Sequence, residues 1–309
     1  MKPLNLIGFF LLAITASCDL GKPVRYEPPC YFDCTPFFTV IDFEPAWSPS
    51  GDKIAYVHVD SALGQSGIYI IDTSGLISTA VFLQSGAYSP RWSPDGLWIV
   101  FSYQNQIFKI RHTGDSLSQF TTSGRNFFPD WSHDGVYIAY DNTVCGSGIE
   151  PIPANSCGVL ILNTMTASLQ FISLYSRMPI WHPLEMRLLL VNRAVSPGGE
   201  ETGDTLWTYD VEDKTRQFFA FLSGENFDNR YFRFSPDGLS LAFTSMSLSQ
   251  RPHIWIMSSQ GSNGRKIIED IAYTCDWSPD GTRIVYADAS NGHLQIVNID
   301  GSNRKQITF

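Results

Sequence analysis

Hydrophobic and polar positions in this chain alternate in short runs separated by turn residues. One set reads Lys53-Ile-Ala-Tyr-Val57, Trp98-Ile-Val-Phe101, Tyr137-Ile-Ala-Tyr140, Arg187-Leu-Leu-Leu-Val191, Ser240-Leu-Ala-Phe243 and Arg283-Ile-Val-Tyr286. After a variable loop, a second set follows: Ile68-Tyr-Ile-Ile71, Ile107-Phe-Lys-Ile110, Val159-Leu-Ile-Leu162, Leu206-Trp-Thr-Tyr209, Ile254-Trp-Ile-Met257 and Leu294-Gln-Ile-Val297. Runs this short, rich in β-branched and aromatic residues, predict strands. A polar turn then leads to a last run, as in Ser118-Gln-Phe-Thr121 and Lys305-Gln-Ile-Thr308.

Ahead of the first run in each unit stands one motif: Trp47-Ser-Pro-Ser-Gly51, Trp92-Ser-Pro-Asp-Gly96, Trp131-Ser-His-Asp-Gly135, Phe234-Ser-Pro-Asp-Gly238 and Trp277-Ser-Pro-Asp-Gly281. A worn copy, Trp181-His-Pro-Leu-Glu185, fills the gap, which makes six units. The motif is turn chemistry. Proline fixes φ, the aspartate side chain bonds nearby backbone, and glycine accepts a positive φ. Two residues before the anchor aromatic, Pro45, Pro90, Pro129 and Pro179 recur. Proline cannot donate to a ladder, so it belongs on a strand with a free edge. With the short strand that ends at the anchor, each unit has four strands. The expectation is an all-β fold, a six-bladed β-propeller of four-stranded antiparallel blades. Its anchors Trp47, Trp92, Trp131, Trp181, Phe234 and Trp277 pack between neighbouring blades. A linear stack of such units would need capping repeats, and none is visible.

These Trp-Ser-Pro-Asp-Gly repeats, each followed by an Ile-Ala-Phe-like strand and a Gln-Leu-Thr-like closing strand, resemble the WD-repeat-like repeats of the TolB-type β-propellers. The resemblance covers about residues 41–309. It implies the fold and a binding role, with a periplasmic setting. Family members carry a separate α/β domain before the propeller. Only a short leader lies between Cys18 and the first repeat, so that domain is expected to be missing, and membership of the Tol–Pal system does not carry over.

The first residues have another character. Met1-Lys2 supplies a positive charge, and Pro3 to Ser17 is uncharged and mostly apolar, shorter than the ~18–20 residues that span a bilayer. The small residues Thr15-Ala16-Ser17 before Cys18 resemble the lipobox of bacterial lipoproteins, with Thr15 where Leu is usual. The domain reading is a signal peptide over 1–17, a lipidated leader over 18–40 and the propeller over 41–309, anchored to the membrane through the Cys18 lipid alone. In an oxidising compartment cysteines read first as disulfides. Cys30 and Cys34 sit in a Pro-rich leader, and Cys145 and Cys157 bracket a Gly- and Pro-containing loop, so each pair suits a local bridge. Cys275 is left over and expected buried and free.

Composition narrows the function. With 30 acidic and 21 basic residues, a net charge of −9 and no basic cluster, nucleic acid is not an expected partner. No nucleophile elbow, zinc-binding His-Glu-x-x-His or phosphate-cradling glycine loop occurs, so no catalytic residue, metal or cofactor is assigned. His58, His112, His133, His182, His253 and His293 are scattered over different positions of the repeat, where structural or solvent-facing roles are expected. Asp95, Asp134, Asp237 and Asp280 are expected to stabilise their turns. One position before each anchor the residues run Ala46, Arg91, Asp130, Ile180, Arg233 and Asp276, so blades two and three, and again five and six, set an arginine beside an aspartate. Those four are expected either to pair between blades or to line a polar channel that recognises a peptide or carboxylate. The variable loops Asn142–Cys157 and Ala194–Gly203 fall on one face, in adjacent blades. The reading that follows is an envelope lipoprotein binding a protein or peptide. Its alternative is a lyase or glycosidase acting on envelope polysaccharide at the channel mouth.

Overall fold

The computed structural model describes residues 38–75, 78–82, 85–143, 157–174, 176–195, 201–223, 228–247 and 250–309. They form six four-stranded antiparallel sheets, each built from consecutive strands. Blade one is β1 (Val40–Trp47), β2 (Lys53–Asp60), β3 (Gln65–Asp72) and β4 (Ser78–Phe82); blade two is β5 (Ala87–Trp92), β6 (Trp98–Tyr103), β7 (Gln106–Arg111) and β8 (Ser118–Gln119). Blade three is β9 (Asn126–Trp131), β10 (Tyr137–Asn142), β11 (Gly158–Asn163) and β12 (Leu169–Leu174); blade four is β13 (Arg177–Trp181), β14 (Arg187–Val195), β15 (Glu201–Asp210) and β16 (Thr215–Ser223). Blade five is β17 (Asp228–Phe234), β18 (Ser240–Ser247), β19 (Gln250–Ser258) and β20 (Arg265–Lys266); blade six is β21 (Ala272–Trp277), β22 (Arg283–Asp288), β23 (His293–Asn298) and β24 (Lys305–Gln306). The expected six-bladed β-propeller is therefore the fold. Among the described residues no strand is exchanged between the first and last blades; across that seam the Asp42 amide of β1 donates to the Gly292 carbonyl (2.7 Å).

Each anchor leaves its own blade to fill the face of the one before. Trp131 packs with Val100 and Ile107 of blade two, Trp181 with Val159 and Ile161 of blade three, and Trp277 with Ala242 and Ile254 of blade five. Phe234 does the same against Leu189 and Leu206 of blade four. The core is thus built from inter-blade layers around an axis, each covering one face of two neighbouring sheets.

The motif turns fasten the inner hairpins. Ser93 Oγ donates to Asp95 Oδ1 (2.5 Å) and accepts from the Trp98 amide (2.9 Å), while Asp95 Oδ1 also accepts from the Leu97 amide (2.9 Å). Ser132 with Asp134, Ser235 with Asp237 and Ser278 with Asp280 repeat the arrangement. The four aspartates are turn residues, as their position implied. Cys275 is buried and free. Cys157 is buried just before β11, whereas Cys18, Cys30, Cys34 and Cys145 lie outside the described residues, as do most of the two variable loops.

Candidate functional site

The innermost strands β1, β5, β9, β13, β17 and β21 surround the axis, and three of their positions supply its chemistry. The position before the anchor is a charged layer. Asp276 of blade six accepts the Trp47 amide of blade one (2.7 Å), and Asp130 of blade three accepts the Trp181 amide of blade four (2.8 Å). Arg91 is buried and donates to the Pro45 carbonyl of blade one (3.3 Å), and the Arg233 guanidinium lies 3.9 Å from Asp276. Burial pushes the Asp130 carboxyl up to about 7, against the pull of Arg91 and with the help of Asp276. The same desolvation raises Asp276, again opposed by Arg91. Arg91 therefore acts on both aspartates, and the two Arg–Asp sets expected from sequence converge at the axis. The Arg233–Asp276 pair forms a long ion pair. Each aspartate is pinned to the backbone of the following blade.

Two residues earlier the backbone does something the sequence did not announce. Glu44, Ser89, Phe128, Met178 and Tyr231 all have φ between 46° and 54°, a conformation that L-residues seldom adopt. The pairing register shifts at the same place in blades one to five, for example between Phe43 and Ala46 and between Tyr88 and Arg91, and one residue earlier in blade six, between Ala272 and Cys275. A β-bulge of this kind re-aims a side chain. Ser89, Phe128, Met178 and Tyr231 line the axial cavity together with Asp130 and Arg233, and the space left for the centre of a water molecule is about 10 Å³. The Phe128 and Tyr231 rings, from blades three and five, meet edge to face at 6.4 Å. The cavity beside these rings has room for about one water. Glu44 belongs to the same level: its carboxylate accepts the Ser89 amide (2.5 Å) and hydroxyl (3.2 Å), and its own amide donates to Thr274 Oγ1 (3.0 Å). Burial raises its carboxyl despite those bonds and Arg91.

Nearer the face that carries the second-to-third-strand loops, carboxylates again reach across blades. Asp141 of blade three accepts the Met178 amide (3.1 Å), and burial lifts it to about 7 against Arg177, which pairs with the fully buried Asp204 (2.9 Å). At the seam between blades six and one, Asp42 collects two imidazoles. His58 Nδ1 lies 2.7 Å from Asp42 Oδ1, and His293 Nδ1 lies 3.2 Å from Oδ2. Burial alone would raise Asp42, but the contacts with His293, His58 and Thr308 outweigh it and hold the carboxyl below its usual range. With the carboxylate ionised, both Nδ1 atoms are donors, which sets the tautomers and leaves each Nε2 as the basic edge. His58 also packs against the Tyr69 ring, tilted by 53°, at 4.6 Å between centroids. Among the described residues, no group of three or more His, Cys, Asp and Glu is arranged to hold a metal ion.

Asp42, Glu44, His58 and His293 were not singled out together from the sequence. Their signal was ring closure itself: in a six-bladed propeller the first and last blades are neighbours, so residues from opposite ends of the chain share a seam. The bulge residues were flagged only indirectly, each of the first four preceding a recurring proline.

These features define the class: a six-bladed β-propeller in which buried carboxylates tie the inner strands of blades six to one, one to two and three to four. No protein-family model matches the chain. Over 145 residues it is 29% identical to the uncharacterized protein Atu1656 of Agrobacterium fabrum, covering 43% of this chain and 49% of that one. Over 110 residues it is 33% identical to the uncharacterized peptidase YuxL of Bacillus subtilis, covering 35% of this chain and 16% of that one. The match thus spans about half of the first relative and about a sixth of the second. Among solved structures, TolB of Acinetobacter baumannii superposes with a TM-score of 0.62 at 18% identity, over 86% of this chain and 62% of that one. A TolB-designated chain of Agrobacterium tumefaciens gives 0.62 at 16%, over 80% and 89%. Oligogalacturonate lyase of Vibrio parahaemolyticus gives 0.56 at 12%, over 87% and 79%. At these identities the likeness is one of fold.

Proposed function

We propose that this chain is an envelope lipoprotein whose propeller binds a protein or peptide without catalysing a reaction on it. The observation that carries the reading is that the axial charges are already bound within the ring. Arg91, Asp130, Arg233 and Asp276 are engaged with neighbouring blades, and the cavity beside Asp130 and Arg233 has room for about one water, so the reading puts recognition on an outer face. The favoured face bears the second-to-third-strand loops, where β14 and β15 of blade four lengthen to 9 and 10 residues against 6 for their counterparts in blades two, three and six. Rigid scaffolds with variable loops commonly bind through such faces. Crosslinking in the native envelope followed by affinity purification tests this, beside a variant whose Val195–Glu201 loop is cut to a two-residue turn. A discrete protein partner lost in the short-loop variant is the expected result. No partner from either form overturns the reading.

The anchor and the bridges are part of the same proposal. Cys18→Ser is expected to abolish labelling by a fatty-acid probe and release soluble protein, and unchanged labelling refutes the anchor. Mass mapping without reductant is expected to link Cys145 to Cys157 and Cys30 to Cys34; free thiols at either pair refute that bridge.

One observation favours a second reading. Asp42 orients the imidazoles of His58 and His293, whose side chains remain 18% and 19% exposed. An imidazole held at Nδ1 by a carboxylate is suited to general-base work at Nε2. A lyase or glycosidase acting on envelope polysaccharide would use such a group. Turnover of a polyuronate or a neutral glycan that disappears in His58→Ala supports this reading, and turnover that survives in both His58→Ala and His293→Ala removes it.

A further inference from the structure

The outer strand of blade four is unlike most of its counterparts. Strands β8, β20 and β24 are two residues long, whereas β16 runs for nine. A long outer strand presents an unpaired row of N–H and C=O groups, and soluble proteins ordinarily shorten or charge such an edge. Here its middle is aromatic. Phe218 is 58% exposed and Phe221 46% exposed. In a regular strand, residues three apart point to opposite faces. Pairing runs Trp207 with Phe218, Leu206 with Ala220 and Thr205 with Phe221, so Phe219 is the extra residue of a bulge. The bulge brings Phe218 and Phe221 to the face that also carries Trp207. That face is stiffened from behind: the Trp207 ring meets Phe218 edge-on at 5.5 Å, and the Arg216 guanidinium lies 4.3 Å over Trp207.

We propose that β16 is the interface of a homodimer, in which two copies join edge to edge, antiparallel, about a twofold axis between Phe219 and Ala220. In this register Phe218 of one copy stands opposite Phe221 of the partner subunit, and Phe221 opposite Phe218 of the partner subunit. Four phenylalanines then form one cluster on the shared face, the kind of cross-strand aromatic pairing that stabilises sheets. The sequence is self-complementary only this way. Lys214 and Arg216 lie at one end of the strand, and the antiparallel arrangement places Arg216 opposite the uncharged Ser223 of the partner subunit. The two Arg216 side chains are then about 23 Å apart along the ladder, well beyond the ~8 Å screening length of physiological salt. A parallel arrangement would set them side by side. The contact is isologous and closes on itself, giving a dimer and no filament.

Sedimentation velocity on the mature chain over a micromolar concentration series reads the state directly. The expected result is a dimer that becomes a monomer, a twofold fall in mass, in the double variant Phe218→Lys/Phe221→Lys. Far-ultraviolet circular dichroism and the melting midpoint show whether that variant is folded. Phe221→Lys alone gives a milder second variant, expected to dissociate only at lower concentration than the double one. A parent chain that is monomeric throughout overturns the proposal, whether or not β16 takes up a strand from another protein. A dimer that persists in the folded double variant overturns it as well, by placing the interface elsewhere.

Discussion

Blades two and four carry the same anchor and treat everything outside it differently. Blade two keeps the full motif, Trp92-Ser-Pro-Asp-Gly96, and closes on a two-residue outer strand. Blade four reads Trp181-His-Pro-Leu-Glu185 and extends its last three strands to 9, 10 and 9 residues. In both, the backbone closes the turn: Ser93 N donates to Trp98 O and His182 N to Arg187 O, each at 2.8 Å. Blade four lacks the serine–aspartate fastening. In its place the His182 ring packs 4.9 Å from Phe234 of blade five and fills the space beside Gly238. The ring of turns therefore needs contact between neighbours more than it needs one side chain, and the outer half of a blade is free to lengthen once the inner half is fixed.

If the anchor is the common element, removing it should cost the same in either blade. Trp92 and Trp181 are 9% and 4% exposed. Trp92→Ala and Trp181→Ala are each expected to lose ~3–5 kcal/mol by chemical denaturation, the cost of emptying a large aromatic site. A loss under ~1 kcal/mol in either would mean that its anchor is not structural.

The next effect is acid–base. Blade four is held to blade three by Asp130 and Asp141, both lifted to about 7 by burial. An unfolded aspartate titrates near 3.9, so between about pH 4 and pH 7 the unfolded chain releases protons that the folded chain keeps. The contribution of these groups to stability accordingly falls as pH rises through that window and levels off above it. Asp130→Asn/Asp141→Asn is expected to flatten the pH dependence of the melting midpoint, by an amount on the order of 2–4 kcal/mol across the window. An unchanged slope would show that the two carboxyls titrate normally. Blade two, held by Glu44 with its own raised carboxyl, shares the trend.

The turns give a smaller contrast. Gly96 and Gly238 both sit at positive φ, 70° and 72°. An alanine Cβ at Gly96 would make ordinary contact with Pro49 (3.9 Å), whereas at Gly238 it would land on the His182 ring. Gly96→Ala is expected to cost ~1–2 kcal/mol for the backbone conformation, and Gly238→Ala about 1–3 kcal/mol more for overpacking. Equal losses would mean that His182 yields freely.

Much of the architecture was readable because the repeat spells it out. Spacing, anchors, turn aspartates and the propeller all follow from motif and period, and Phe234 served as an anchor as well as the tryptophans did. The site was less legible. Arg91, Asp130, Arg233 and Asp276 were found because they share a position in the repeat, and the structure gathers them at the axis. The aspartates bond backbone amides of the next blade and Arg91 bonds a carbonyl of the blade before, which no side-chain pattern records. The Asp42–His58–His293 contact joins different repeat positions across the seam, so a search by equivalent position passes over it. The five bulge residues have unrelated side chains, Glu, Ser, Phe, Met and Tyr, and what they share is a φ angle.

The finest contrast lies within a single turn. Asp95 accepts the Ser93 hydroxyl and the Leu97 amide, and it does so from an exposed position. Asp95→Ala leaves those donors to water and is expected to cost ~1 kcal/mol, as losing a side-chain acceptor to a backbone amide does at a helix cap. Leu184 occupies the equivalent place in blade four and is 63% exposed, with its amide held instead by His182 Nδ1 (3.3 Å). Leu184→Ala is expected within ~0.5 kcal/mol of the parent chain. Denaturant midpoints of the two variants separate the accounts. If Leu184→Ala costs as much as Asp95→Ala, the leucine is doing packing work that its exposure does not show, and blade four has kept its turn by a second route besides His182.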